Sequence, residues 1–356
     1  MKNKYGFVAV MLLSIFLVSA GLTSWYVRTE TKEEENGQVT VVTSFYPMYI
    51  AAMNVVGDTP GVSLQNLSEP QTGCLHDFTL TPQDMKLLST ADVFVINGGG
   101  IEVFLGEVAK SYPKLHVIDA SEHLSLLEGE AHVHVHGNEE ELHEEDVHEE
   151  VLHEEEIHEE ELHEEELHEE EIHEEELHEE DAHNHEDAVN AHAWMSIPLY
   201  REQVSEIAEQ LSAVDAAHAQ QYRANAKAYD EQLAVLEKKM DALKEELRGT
   251  NVILFHEAYA YLAEDLGMHV CGNMNLDEER QVSAGEVAEI LEEIEAHQVS
   301  FVLAEELYGS NMGELVTKEG QVQMLYLDTL NRGEYQADSY IRGMESNISL
   351  LSEMIK

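Results

Sequence analysis

VILFHEAYAYLAEDLGMHVC, residues 252–271, opens on four large apolar residues, two of them β-branched and one aromatic, passes through a longer helical pattern and returns to a second short strand candidate at 269–271. A strand, a helix and a strand in that order predict a parallel pair with its crossover helix. The same alternation extends outward in both directions. Strands are expected at 39–42, 62–67, 93–96 and 116–118, then at 252–255, 269–271, 301–303 and 324–327. Helical patterns lie between them, as at 81–89 with Pro82 in the first turn and at 284–297. Four strands on each side of the middle predict an α/β protein of two lobes, each a four-stranded parallel sheet flanked by helices.

Between the lobes, Ser196-Ile197-Pro198 opens a helix to about residue 213, and Asp215 is read as the cap of a second helix that Gly249 stops. Tyr222, Ala226, Tyr229, Leu233, Leu236, Met240, Leu243 and Leu247 share one face of it. A helix of about 32 residues is nearly 50 Å long and makes a stiff strut. A ligand site is then expected in the crevice where the carboxyl ends of the two sets of strands face each other. The organisation expected is residues 1–28 as signal or anchor, 38–127 and the return segment 188–214 as the first lobe, 128–187 as an insertion, 215–248 as the linking helix and 249–356 as the second lobe.

The chain has 356 residues, 73 acidic against 19 basic side chains and a formal net charge of −54. A charge of that sign and size repels phosphate backbones, so nucleic acid is excluded as a partner. Residues 128–187 hold 30 of the acids, 13 of the 21 histidines and no Lys or Arg, which leaves −24 on the remainder. Those histidines are His132, His134, His136, His143, His148, His153, His158, His163, His168, His173, His178, His183 and His185, and from His143 to His183 they recur every fifth residue. Five residues turn a helix by about 500°, so neighbouring imidazoles diverge by about 140° and no regular element aligns them for one metal. Unpaired glutamates oppose a helix, and a disordered loop is expected. Its imidazoles and carboxylates suit weak, multiple capture of zinc or similar ions, against the plain alternative of a solvated acidic spacer.

At the other extreme, Lys2 and Lys4 precede 23 uncharged residues, 5–27, which Arg28 closes. That is an export signal, either cleaved after Ala20 or kept as a membrane anchor. The chain from Glu30 onward is expected outside the cytoplasm.

Eight histidines lie outside the insertion. His218 and His297 fall on polar helix faces, His116 and His269 begin strands, and His123 precedes the insertion. His76 lies in a turn after a strand (GCLHDFTLTP), His192 in the segment that re-enters the fold (NAHAWM), and His256 at the carboxyl end of a strand (VILFHEAY). The last three are placed to reach a crevice.

From Val39 onward the chain resembles the metal-binding solute receptors of bacterial ABC importers, most closely their zinc branch. The resemblance is carried by TSFYPMYIAAMNVVGD, by LHDFTLTPQDMKLLSTADVFVINGGGIEVFL, by the histidine-rich insertion, HAWMSIP, YRANAKAYDEQLAVL, VILFHEAYAYLAEDLG and MLYLDTL. It implies one tightly held Zn2+ between two lobes, with His76, His192, His256 and Asp328 at the ligand positions and Asp77 or Glu257 as their supports. Three imidazoles and a carboxylate suit zinc, and a histidine at the third position distinguishes this pattern from the manganese-binding relatives. The resemblance further implies a monomeric receptor, not an enzyme, that passes its ion to an ABC permease. Ala191 and Met195-Ser196 depart from the family pattern around His192, as does EPQTGCLHD before His76.

Other readings share these residues: a receptor for manganese, a surface zinc buffer or adhesin without a transporter, and a zinc hydrolase with Glu257 as base. The two cysteines leave three possibilities open. Cys74 and Cys271 form a bridge across the crevice, Cys74 adds a soft ligand, or both are small buried residues.

Overall fold

The computed structural model describes residues 39–75, 78–129, 189–274, 276 and 282–356. The candidate signal or anchor, the candidate ligand His76 with its neighbour Asp77, and the thirteen histidines of the insertion lie outside the described residues.

All eight expected strands form, with ends moved by one or two residues. β1 (Val39–Thr43), β2 (Val62–Asn66), β3 (Val93–Ile96) and β4 (His116–Asp119) make one sheet in the order β2-β1-β3-β4. β5 (Asn251–Leu254), β6 (His269–Asn273), β7 (Phe301–Ala304) and β8 (Gln323–Tyr326) repeat that order as β6-β5-β7-β8. Every pairing is parallel. The central strands β3 and β7 are buried along their whole length, VFVI and FVLA, because helices cover both faces of a parallel sheet.

The crossover helices are α1 (Tyr46–Val56), α2 (Pro82–Leu88) and α3 (Leu105–Ser111) in the first lobe. After the return segment come α4 (Ile197–Val214) and α5 (Ala219–Leu247), then α6 (Tyr259–Leu266), α7 (Ala284–His297), α8 (Glu306–Gly320) and a final α9 (Ser339–Met354). Local sequence sets several of their ends. Thr81 with Asp84, and Ser283 with Glu286, form reciprocal capping boxes at the starts of α2 and α7. Gly267 takes φ 66° at the end of α6, a left-handed conformation that glycine adopts without strain.

The linking helix begins at Ala219, four residues later than its sequence pattern predicts. Asp215 ends α4 instead of opening α5: its backbone N–H bonds to Leu211 O, and its Oδ2 accepts from Tyr222 OH (2.7 Å) and lies 2.6 Å from His218 Nδ1. The 29 residues that remain span about 43 Å. Its apolar face packs on α1 and α4 and continues to α6 and α9; the larger core of buried side chains takes in both sheets, and a second core lies among β5, β7, α7 and α8. Tyr200 of α4 stacks on Tyr340 of α9 with ring centroids 3.7 Å apart inside that core.

A buried carboxylate ties together the carboxyl ends of β1 and β3. Glu102 accepts from Ser44 Oγ (2.8 Å), Asn97 N (2.7 Å) and Gly98 N (3.1 Å). Asn97 in turn donates through Nδ2 to Ala191 O (2.8 Å), which fixes the return segment over the strand ends. Desolvation pushes the Glu102 carboxyl up to about 7 against the pull of those three donors. Because the folded pKa lies above the unfolded value of about 4.3, stability contributed by the bound proton is present below about pH 4.3 and lost as pH rises towards 7. Glu102→Gln keeps an acceptor for Ser44 and Asn97 without the charge. Urea unfolding at several pH values is expected to show the variant gaining on the wild type by ~2 kcal/mol between pH 4.5 and 7. A difference that is constant across that range contradicts the assignment.

Candidate metal centre

Three chain segments converge where strands end. His256 follows β5 by two residues and precedes α6. His192 caps a 3-10 turn, Ala193–Met195, immediately ahead of α4. Cys74 lies in the connection from β2 to α2. Their donor atoms, two imidazole nitrogens and Cys74 Sγ, all lie within 4.8 Å of one another.

His192 is completely buried, with its ring between two others. Trp194 lies 5.0 Å away at 52° and His256 5.0 Å away at 76°, centroid to centroid. Asn190 Oδ1 is 2.9 Å from His192 Nδ1 and also accepts the His192 backbone N–H at 3.0 Å. The amide cannot turn over, because its Nδ2 donates to Glu257 O (2.9 Å); Tyr261 OH donates to the Asn190 backbone carbonyl and holds the segment itself. An oxygen at Nδ1 holds the proton there. The lone pair of His192 is therefore on Nε2, the nitrogen that faces the cluster 3.6 Å from Cys74 Sγ. Glu257 Oε1, 3.6 Å from Nδ1, adds negative charge on the same side and strengthens the imidazole as a donor.

Cys74 is a free thiol. Asn331 Nδ2 donates to its sulfur at 3.0 Å, and Arg332 Nε donates to Asn331 Oδ1 at 3.2 Å, which orients that amide. Arg332 is held by Glu305, with Nη2 3.5 Å from Oε1. Burial pushes the Cys74 thiol up to about 12, against the pull of the Asn331 N–H, so the metal-free sulfur keeps its proton. Cys271 is also free and lies on β6 with its sulfur 3.3 Å from His269 Nδ1. The bridge between the two cysteines is not formed.

Of the four ligand positions expected from the sequence, the structure brings together His192 and His256. Asp328 follows β8, but its carboxylate is not among the donor atoms of the cluster. Its Oδ1 accepts the Leu330 N–H (2.8 Å), while its backbone N–H and C=O pair with the side-chain amide of Asn347 on α9. The histidines expected to be bystanders have other surroundings: His218 faces Asp215, and His297 lies 3.1 Å from Glu293. His123 forms an exposed group with Glu122 and Glu206, its Nε2 4.0 Å from Glu206 Oε1. Sequence reading did not single out Asn190 or Asn331. The former had a signal in its place two residues before His192, the latter none.

A profile described as the periplasmic zinc-uptake complex component A, ZnuA, matches residues 41–354. The zinc-binding protein AdcA of Streptococcus pyogenes serotype M3 is 25% identical over 357 residues, covering 99% of this chain. The chain spans 61% of that relative's length. The high-affinity zinc uptake system protein ZnuA of Bacillus subtilis is 25% identical over 329 residues, 91% of this chain and 89% of that one. In structure the chain is similar to the solute-binding protein FpvC of Pseudomonas aeruginosa in complex with Ni2+, with a TM-score of 0.66 and 22% identity over 89% of this chain and 97% of that one. The shared architecture is the two-lobed α/β fold of solute-binding proteins.

The bracket around His192 makes a direct prediction. Asn190→Ala removes the oxygen that selects the Nδ1–H form, and divalent metal affinity is expected to fall by about 10- to 100-fold with the fold intact. Competition of Zn2+ with a chelating dye measures this, and unchanged affinity contradicts the assigned tautomer.

Proposed function

The chain belongs to the zinc-uptake complex component A family, and on that premise we propose that it is an extracytoplasmic receptor that binds one Zn2+ tightly and hands it to the permease of an ABC importer. The observation that carries this reading is the pair of imidazoles His192 and His256 at the strand ends, with donor nitrogens within 4.8 Å of each other and His192 buried with Nδ1 taken by Asn190. Imidazoles held together in this way suit a borderline-soft cation.

The ligand set proposed is His76, His192 and His256. The family pattern assigns the fourth place to Asp328, whose Oδ1 accepts the Leu330 N–H in this arrangement. The thirteen histidines of residues 128–187 gather zinc weakly and at several places. Glu257 lies on the Nδ1 side of His192, opposite the donor nitrogen, so it serves the imidazole and is poorly placed to take a proton from a metal-bound water. That placement favours a receptor over a hydrolase.

Imidazoles coordinate only when neutral, so zinc affinity is expected to decline as pH falls below about 6.5. Isothermal titration at pH 7.5 is expected to give one tight site that survives deletion of residues 128–187. Replacing His76, His192 and His256 together is expected to leave only weak, multiple binding. Loss of the tight site on deletion of the insertion, with its retention in the triple variant, moves the function to the insertion and overturns the reading.

A further inference from the structure

We propose that Cys74 is itself a ligand of the bound ion, so that the centre presents sulfur together with imidazole nitrogen. The inference rests on the receptor reading and adds a donor atom to that same site.

Distance is the first argument. A sulfur at about 2.3 Å and a nitrogen at about 2.05 Å from a tetrahedral zinc ion stand about 3.6 Å apart. Cys74 Sγ and His192 Nε2 are 3.6 Å apart, with a nitrogen of His256 within 4.8 Å of both. The separation of these two donors is already the one that a shared ion requires.

Directionality is the second. His192 Nδ1 is taken by Asn190, so the nitrogen facing the sulfur is the one with a lone pair. The sulfur also receives an N–H from Asn331 at 3.0 Å, and the orientation of that amide is set by Arg332. A donor aimed at sulfur is the support that a metal-bound thiolate uses, and it is the counterpart of the carbonyl or carboxylate that supports a ligating histidine. Coordination breaks the S–H bond, releases that proton to solvent and forms a metal–sulfur bond with the freed electron pair. No oxidation state changes. A thiolate shifts preference towards Zn2+, Co2+ and Cd2+ and away from Mn2+, which favours oxygen donors.

Cobalt substitution tests this on the full chain. One equivalent of Co2+ is expected to produce a sulfur-to-cobalt charge-transfer band in the near ultraviolet, retained in Cys271→Ser and lost in Cys74→Ser. X-ray absorption of the one-zinc protein is expected to show a single sulfur at ~2.3 Å beside nitrogens at ~2.0 Å. Cys74→Ser is expected to lose at least about tenfold in Zn2+ affinity with little change for Mn2+. One tight equivalent of metal without sulfur scattering and without the band overturns the assignment of Cys74 and leaves the receptor standing. Absence of any tight equivalent in the wild-type protein overturns the receptor reading itself.

Discussion

The centre depends on a single choice, made by a side-chain amide, of which imidazole nitrogen carries the proton. A neutral histidine offers one donor and one acceptor, and a buried one has no solvent to average between them. Asn190 removes the ambiguity for His192 by presenting oxygen to both the ring and the backbone. The amide is locked from the second lobe by the Glu257 carbonyl, and the Tyr261 hydroxyl holds the Asn190 backbone carbonyl. One face of the site is thereby determined by contacts between the lobes, and Trp194, donating to Thr329 O at 2.9 Å, reinforces the same junction.

Much of the architecture was legible because parallel sheets buried on both faces leave short β-branched runs that nothing else in the chain imitates, as at 93–96 and 301–303. The α7 boundaries were equally plain, since Ser283 and Glu286 form a capping box that is visible in one dimension. Asp215 misled because an aspartate suits either side of a break between helices, and only His218 and Tyr222, about one and two helical turns further on, decide for the end of α4. His256 was readable from its place at the end of a strand. The partnership of Cys74 with His192 was not: they are 118 positions apart, and it takes both loops folding over the strand ends to join them. Asn331 is further still from any local cue, being 257 positions from the sulfur it serves.

The loop after β8 carries much of the contact between the lobes. Gly333 N donates to Pro70 O (3.1 Å), Tyr46 OH donates to Glu334 O (2.9 Å), and Tyr335 packs on Tyr49. Gly333 has φ 146°, and a β-carbon there would stand 2.6 Å from the Tyr46 hydroxyl, so no other residue fits. Leu330 in the same loop has φ 56°, which is costly for a side chain of its kind, and the bond from its N–H to Asp328 helps to hold it. Asp328 thus serves loop geometry in this arrangement.

The return segment meets the first lobe through an antiparallel bridge between Glu128 and Val189, closed by Asn190 N donating to Leu127 O at 2.8 Å. Both stems of the insertion are stapled side by side independently of what is strung between them. Closing a connection across fixed ends costs only ~0.6 kcal/mol for each doubling of its length. Pentads can accordingly be added or removed between these stems with almost no toll on the folded body.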